Sequence, residues 1–213
     1  VALLEREWPG FWDEISSVDE RAGGGSIATV YRVKTADGRD EVIKVRNPNL
    51  EFFLEEHSQF IEAILRALVK KDPERYQTAG LILGEVKEWI SRDASFEGFL
   101  ADDARFRADN NGFTAEGSRY SMYVPASYGP ENRYFVREEY IEGSNLTKWD
   151  ALAAGGHDMR AIVSLIVKNY AMQLQRGFAH SDVHVGNFRV TADGRVAILD
   201  RNFFLKLSPE VQG

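Results

Sequence analysis

The stretch from His180 to Asp200, HSDVHVGNFRVTADGRVAILD, constrains the fold of this chain more than any other segment. It opens with a polar loop that holds an Asp, two His and an Asn, and continues as two short apolar runs around an Asp-Gly pair. That pattern predicts two strands joined by a tight turn. Because a hairpin brings its two outer ends together, the polar loop and Asp200 should share one mouth of it. Carboxylate and amide oxygens gathered there would suit a metal–nucleotide complex with a candidate base beside it.

A glycine run precedes a second predicted hairpin in residues 23–45, GGGSIATVYRVKTADGRDEVIKV. The pattern predicts a glycine-rich turn, a strand, an Asp-Gly turn and a second strand. Glycine accepts backbone angles and close approaches that other residues resist, so N–H groups here can face phosphate oxygens. A flexible connector is the more common explanation of a glycine run taken alone. The candidate phosphate-binding residues are Gly23, Gly24, Gly25 and Ser26.

Lys44 lies near the end of the second strand, between apolar neighbours. An ammonium group is costly to bury unless it is paired. The lysine therefore either faces outward or meets a carboxylate beside a bound phosphate. A predicted helix over 94–107 supplies acids, among them Glu97, Asp102 and Asp103. Most of these form a solvated face, and one could turn inward to neutralise Lys44.

The rest of the chain predicts further helices and strands. An apolar stripe in residues 1–18, broken at Pro9-Gly10, indicates a short helix packed on the sheet that follows. Helices are expected at 50–70, 79–90, 146–154 and 161–176, and strands at 120–124 and 133–140. The segment 142–145 is a candidate hinge. The pentapeptide TADGR occurs at 35–39 and 191–195, which shared hairpin chemistry explains better than duplication does.

Composition narrows the classes of function. The 213 residues, 44% of them hydrophobic, allow one large domain or two small lobes. A net charge of −7 argues against nucleic acid as a partner, because phosphate backbones require a basic face. With no cysteine, disulfides, thiolate chemistry and cysteine-based zinc sites are excluded. No apolar run approaches the ~20 residues of a membrane-spanning helix, and a cytoplasmic protein is expected.

The polar residues of the opening stretch follow a known order. Asn187 comes five residues after Asp182, and Asp200 comes thirteen after Asn187. A glycine loop and a strand lysine upstream complete the order and spacing of protein-kinase-like phosphotransferases. In that arrangement Asn and Asp oxygens suit a hard divalent cation, and the lysine offsets phosphate charge. A separate Asp orients or deprotonates the attacking hydroxyl or water.

Four separated motifs resemble the UbiB family of atypical kinases. HSDVHVGN resembles the family's HADPHPGN loop, and SIATVYRV at 26–33, followed by DGR and VIKVRNP, resembles its first two strands. EYIEG at 139–143 resembles its hinge, and AILD at 197–200, with LSPE at 207–210, resembles its metal-binding strand. The resemblance covers roughly residues 15 to 210.

The resemblance implies an α+β, two-lobed protein-kinase-like fold that binds ATP with Mg²⁺. Residues 1–141 would form an antiparallel-sheet N-lobe with helices, and residues 142–213 a short helical C-lobe that is minimal or truncated. The family is tied to ubiquinone biosynthesis and lipid homeostasis, so the acceptor could be a lipid or another small molecule and peripheral membrane contact is compatible. By this resemblance, Lys44 would be the nucleotide lysine and Asp182 the catalytic aspartate. Asn187 and Asp200 would bind the metal, and Glu139 and Ile141 would be hinge residues that offer backbone groups to adenine. The implied partner acid of the lysine is Glu97, with Asp93 as its competitor.

The chain also departs from the family pattern. Glycines stand at 23–25 where the family loop is rich in alanine, and the family's Lys-x-Gly-Gln segment is absent. Arg201-Asn202 follows Asp200 where Phe-Gly is usual, and Glu138 stands where an apolar residue often faces adenine.

Two other functions compete with a UbiB-type kinase or ATPase. The first is a small-molecule kinase that resembles the aminoglycoside and choline phosphotransferases, and the second is a pseudokinase that binds nucleotide or acts as a scaffold. The intact Lys44, Asp182 and Asp200 argue against the pseudokinase. His180 is expected to brace the loop by hydrogen bonds and His184 to hold its geometry, in preference to binding metal.

Overall fold

The computed structural model describes residues 2–24, 28–47, 59–60, 63–64, 66–67, 69–72, 96, 98–130, 132–201 and 204–207. Two short helices, α1 (Ala2–Glu7) and α2 (Phe11–Glu14), begin the chain. Gly10, with φ 87°, separates them at the predicted break. The predicted helical stripe ends earlier than expected, because a strand begins at Ile15. The described residues among 59–71 are helical, as predicted, whereas the predicted helix at 79–90 lies outside the described residues.

A five-stranded antiparallel sheet forms the first half of the molecule. Its strands are β1 (Ile15–Gly24), β2 (Ala28–Thr35), β3 (Asp40–Arg46), β5 (Ser127–Tyr128) and β6 (Phe135–Glu139), in the order β1-β2-β3-β6-β5. The α1–α2 pair covers one face of this sheet, as expected. The resulting core consists of Leu4, Trp8, Phe11, Ile15, Val33, Ile43 and Phe135.

A second core lies around a four-stranded sheet. Strands β4 (Ser121–Tyr123), β7 (Ser144–Asn145), β9 (Phe188–Val190) and β10 (Arg195–Ile198) take the order β4-β10-β9-β7. Helices α3 (Phe99–Asn110), α4 (Trp149–Ala154) and α5 (Met159–Gln175) accompany it. Strands β8 (Phe178–His180) and β11 (Phe204–Lys206) form a separate antiparallel pair. The mixed architecture with an antiparallel N-terminal sheet confirms the predicted fold class.

The longest described helix follows the predicted pattern closely. Helix α5 begins after Asp158, whose side chain accepts a hydrogen bond from the Ala161 N–H at 3.0 Å. It ends at Gln175, and Gly177, with φ 66°, follows the C-cap Arg176 as a C-terminal glycine. Ile162 and Leu165 on its inner face are fully buried. The helix therefore delivers the chain directly into β8 and the polar loop.

The two TADGR segments form matching turns. In each, the Thr hydroxyl contacts the Asp two residues on, and it also accepts the backbone N–H of the Arg four residues on, at 2.9 Å for Thr35 and 3.0 Å for Thr191. Gly38 and Gly194 both have φ 87°. The predicted common hairpin chemistry is confirmed.

The predicted lobe boundary at residue 141 stays a prediction. Residues on the two sides of this boundary pack together in the structure. Strand β4 pairs in parallel with β10, and Phe106 of α3 lies in the second core. Among the described residues, no helix has the length and apolar character needed to cross a membrane.

Candidate functional site

The β9–β10 hairpin brings the loop and Asp200 together, as the sequence predicts. Ile198 pairs with Phe188, and the Leu199 N–H donates to the Asn187 carbonyl at 2.7 Å. Asn187 therefore faces the residue before Asp200 across the hairpin. The two predicted metal ligands lie at the same mouth of this hairpin.

His180 braces the polar loop, as expected. The residue is 1% exposed. Its Nδ1 accepts the Asp182 N–H at 3.1 Å, and its Nε2 lies 3.0 Å from the Asp200 carbonyl oxygen. Because Nδ1 is an acceptor, the ring proton is assigned to Nε2, which donates to that oxygen. Burial lowers the pKa of His180, although the bond to Asp200 opposes the shift. The neutral ring thus ties the two aspartate segments together.

Asn187 and Asp182 are held against each other. Asn187 Nδ2 donates to the Asp182 carbonyl at 2.9 Å and to its Oδ2 at 3.3 Å. The amide nitrogen is therefore occupied, which leaves Oδ1 as the amide's acceptor atom. The Asp182 and Asp200 side chains are about half exposed, at 55% and 51%. His184 Nδ1 accepts the Gly186 N–H at 3.0 Å, which agrees with its expected part in loop geometry.

Lys44 reaches this mouth from β3. Its Nζ lies 3.3 Å from Asp200 Oδ1 and 3.0 Å from Glu138 Oε2, and its side chain is 7% exposed. Asp200 is 156 residues away in sequence, so the contact joins the two halves of the molecule. The lysine is buried and paired, and not outward-facing.

Among the described residues, the buried acid that pairs with Lys44 is Glu138, which is a departure from the family pattern and not one of the predicted partners. The predicted partners, Glu97 and Asp93, lie outside the described residues. Strand pairing could have predicted this partnership. Lys44 lies opposite Val136, and Glu138, two residues further along the same strand, has its side chain on the same face as that of Val136. Burial by itself would raise the pKa of Glu138, but the Lys44 and Arg201 charges outweigh burial and lower it.

Arg201 is the other functional candidate that sequence reasoning missed. It is fully buried, and its Nε lies 2.7 Å from Asp103 Oδ1. Its Nη2 lies 3.3 Å from Glu138 Oε1. Burial opposes the charge, but the carboxylates of Glu138 and Asp103 raise the pKa of Arg201. Asp103 of the 94–107 region thus neutralises Arg201. That Glu97 of the same region neutralises Lys44 stays a prediction, because Glu97 lies outside the described residues.

Each of the two predicted hinge residues, Glu139 and Ile141, already has one backbone group in a hydrogen bond. The Glu139 N–H donates to the Ala126 carbonyl at 2.8 Å, and the Ile141 carbonyl accepts from Arg189 Nη1 at 2.6 Å. The groups that these two residues could offer to a ligand are thus the Glu139 carbonyl and the Ile141 N–H. The Glu139 carboxylate is held by the Tyr123 hydroxyl at 2.6 and 2.8 Å.

The glycine segment is placed in part. Gly23 and Gly24 end β1, opposite Val30 and Thr29 of β2, so they belong to a strand and not to the turn as predicted. A strand can extend into the glycines because they oppose β-forming residues there. Gly25 and Ser26 lie outside the described residues.

The chain is similar in sequence to several known proteins. The chain is 25% identical to an uncharacterised protein of Synechocystis sp. over 99% of its own length and 53% of the relative's. It is 25% identical to Protein ACTIVITY OF BC1 COMPLEX KINASE 7, chloroplastic, of Arabidopsis thaliana, over 85% and 26%. It is 26% identical to a probable protein kinase UbiB of Aeromonas hydrophila, over 78% and 30%. The chain therefore spans about half or less of the length of these relatives.

A solved structure shares the fold. A Mycobacterium tuberculosis protein, solved in complex with erythromycin, superposes with a TM-score of 0.70 at 19% identity, over 96% of this chain and 51% of that one. The sequence profile of the ABC1 atypical kinase-like domain matches residues 3–212. With nearly its whole length matched, and with relatives that include UbiB kinases, this chain belongs to the ABC1 family of atypical kinase-like proteins, as the UbiB resemblance predicted.

Proposed function

We propose that this domain binds ATP with Mg²⁺ and transfers the terminal phosphoryl group to a hydroxyl acceptor or to water. The observation that carries the proposal is the contact of Lys44 with Asp200, beside Asn187, at one mouth of a hairpin. A phosphate-facing cation and oxygen ligands for a hard metal thus converge from opposite ends of the chain.

The residues present fit a magnesium ion. Asn187 Oδ1 and the half-exposed Asp200 carboxylate are hard oxygen donors, and both lie at the open mouth. A bound magnesium ion would supply neutralisation of charge on the phosphate oxygens. Lys44 would add a second positive charge there, and the Glu139 carbonyl and Ile141 N–H would match the donor and acceptor edge of adenine.

Asp182 is the proposed catalytic aspartate. Asn187 holds its Oδ2 at 3.3 Å, and its half-exposed carboxylate can accept a proton from an attacking hydroxyl or water. The acceptor itself, and the link to ubiquinone or lipid metabolism, are proposals drawn from the family. Candidate acceptors are isoprenoid lipids and hydroxylated small molecules.

Magnesium-dependent turnover of ATP tests this function. Asp182→Asn should lower turnover by at least ~100-fold, since a positioned acid–base group contributes about 10² to 10⁴. Asp200→Asn should also lower turnover, because it removes the charge of a proposed metal ligand. Asp150→Asn, the same chemical change on an exposed helix position, is the matched control and should retain wild-type turnover. Equal turnover in all four proteins would contradict the proposal.

A pseudokinase is the second candidate, and one observation favours it. Lys44, the residue proposed to face phosphate, is paired with two carboxylates, Glu138 and Asp200, and a bound phosphate would have to compete with them. Nucleotide binding in the wild type without any turnover, with and without candidate acceptors, would support this alternative.

A further inference from the structure

Two departures from the UbiB pattern meet in space as an ion pair. Glu138 lies on β6, and Arg201 follows Asp200, 63 residues later. Arg201 Nη2 lies 3.3 Å from Glu138 Oε1, with side-chain exposures of 0% and 3%. Removing one member of such a pair leaves an uncompensated buried charge. Each of the two charges can therefore be buried because the other one is present.

The pair belongs to a chain of four buried charged groups whose charges cancel. Asp103 contacts Arg201 at 2.7 Å, Arg201 contacts Glu138 at 3.3 Å, and Glu138 contacts Lys44 at 3.0 Å. Two cations face two anions. The next carboxylate in the series, Asp200, lies 3.3 Å from Lys44 and is half exposed. Asp200 therefore joins this network at its open end.

We propose that Glu138 is the partner carboxylate of Lys44 and that Arg201 is the buried counter-cation that holds Glu138 in place. Both are positioning residues, because they act through Lys44 and Asp200. Because Glu138 shares the charge of Lys44, the lysine is bound less tightly to Asp200, which is a proposed ligand of the divalent cation. This last step rests on the proposed function.

The surroundings of Arg201 form a fixed site for the guanidinium group. Nη1 donates to the Ile198 carbonyl at 2.7 Å, and Nη2 donates to the Pro125 carbonyl at 3.1 Å. Asp200 takes a left-handed conformation, with φ 53°, which Asp tolerates better than most residues. That turn directs the Asp200 carboxylate toward the mouth while the next side chain enters the interior. Arg201 is thus held by groups other than Glu138, so removal of the Glu138 charge should leave the guanidinium in place.

A double-mutant cycle tests the pairing without any nucleotide. Glu138→Met and Arg201→Met should each raise the equilibrium constant for urea unfolding by about 100-fold or more, because each leaves one buried charge in excess of the opposite charges around it. In the double variant, the increase in this equilibrium constant should be at least about tenfold smaller than the product of the two single increases. A double effect equal to that product would overturn the pairing. If Arg201→Met does not fold, Arg201→Lys, which keeps the charge, should restore a folded protein, and failure of both Arg201→Lys and the double variant to fold would also overturn it.

Binding of Mn²⁺ tests the effect on Asp200. The dissociation constant is measured by electron paramagnetic resonance with a non-hydrolysable ATP analogue present. In Glu138→Gln, Lys44 should pair with Asp200 alone, so Mn²⁺ binding should weaken by about tenfold. Glu116→Gln, an exposed glutamate, is the matched control and should bind as the wild type does. Unchanged binding in Glu138→Gln, with binding lost in Asp200→Asn, would overturn the positioning role. Absence of Mn²⁺–nucleotide binding in the wild type would instead refute the proposed function, and the unfolding cycle would still decide the pairing.

Discussion

Replacing Gln173 with Leu should destabilise the fold by disrupting a buried polar chain behind the loop. Gln173 Oε1 accepts the His180 N–H at 3.0 Å, and Gln173 Nε2 donates to Asn169 Oδ1 at 2.7 Å. Asn169 in turn donates to Asn110 Oδ1 at 2.9 Å. All four residues are at most 3% exposed. The chain of bonds therefore joins α3 and α5 to the start of the loop.

The expected loss follows from two polar groups left without partners. Leucine removes the acceptor for the His180 N–H and the donor for Asn169 Oδ1. Each buried unsatisfied group costs about 1–3 kcal/mol, so the free energy of unfolding should fall by about 2–6 kcal/mol. Because the His180 ring contacts both aspartate segments, turnover should fall as well.

Urea unfolding followed by far-UV circular dichroism measures this loss. Gln175→Leu, an exposed position on the same helix, is the matched control and should change the free energy of unfolding by less than ~0.5 kcal/mol. A loss in Gln173→Leu no larger than in this control would refute the idea that the polar chain holds the loop. The double variant with Asn169→Leu should cost less than the sum of the single changes, because the mutual bond is removed from both sides.

Two further predictions concern the hinge and the loop histidine. In Gly143→Ala, the added Cβ would lie 2.5 Å from the Val190 carbonyl oxygen, whereas in the control Gly117→Ala it meets nothing within 4 Å, although φ is also positive there. Thermal unfolding should show a loss of stability at least ~1 kcal/mol larger for Gly143→Ala. Equal losses in the two variants would contradict the close approach. Because the pKa of His180 is lowered from its usual 6.5, its contribution to stability is complete above pH 6.5 and is lost as pH falls toward the folded-state pKa. The wild type should therefore lose up to about 1.4 kcal/mol more per pH unit than His180→Gln in this window, and parallel pH profiles of the two proteins would argue against a neutral buried ring.

The parts of the fold predicted best are those fixed by local chemistry. The hairpin that ends at Asp200 was predictable because its register depends on a short turn and alternating side chains. Helix α5 was predictable because its apolar spacing and the glycine after it agree. Strand β1 was missed, since its first residues continue an apolar stripe with helical spacing and only the pairing with β2 makes it a strand.

The site was predictable in its loop and less so in its buried charges. Asp182, Asn187 and Asp200 follow a spacing that the hairpin brings together, and Lys44 was identified by its apolar strand. The partnership of Glu138 with Arg201 depends on residues 63 positions apart that meet only in the folded chain. Each looked like a separate departure in the sequence, because a buried charge is recognised as tolerable only when its partner is known.

Calorimetric titration of ATP into the protein, with Mg²⁺ and with a chelator, tests the central claim most directly. The wild type should bind ATP, and binding should weaken on chelation and in Lys44→Met, with Asp150→Asn as the unchanged control. Loss of the Lys44 charge should weaken binding by at least about tenfold, since a charge-assisted contact to phosphate is worth ~1.5–3 kcal/mol. Absence of ATP binding by the folded wild type in the presence of Mg²⁺ would contradict the proposal that this domain binds the nucleotide.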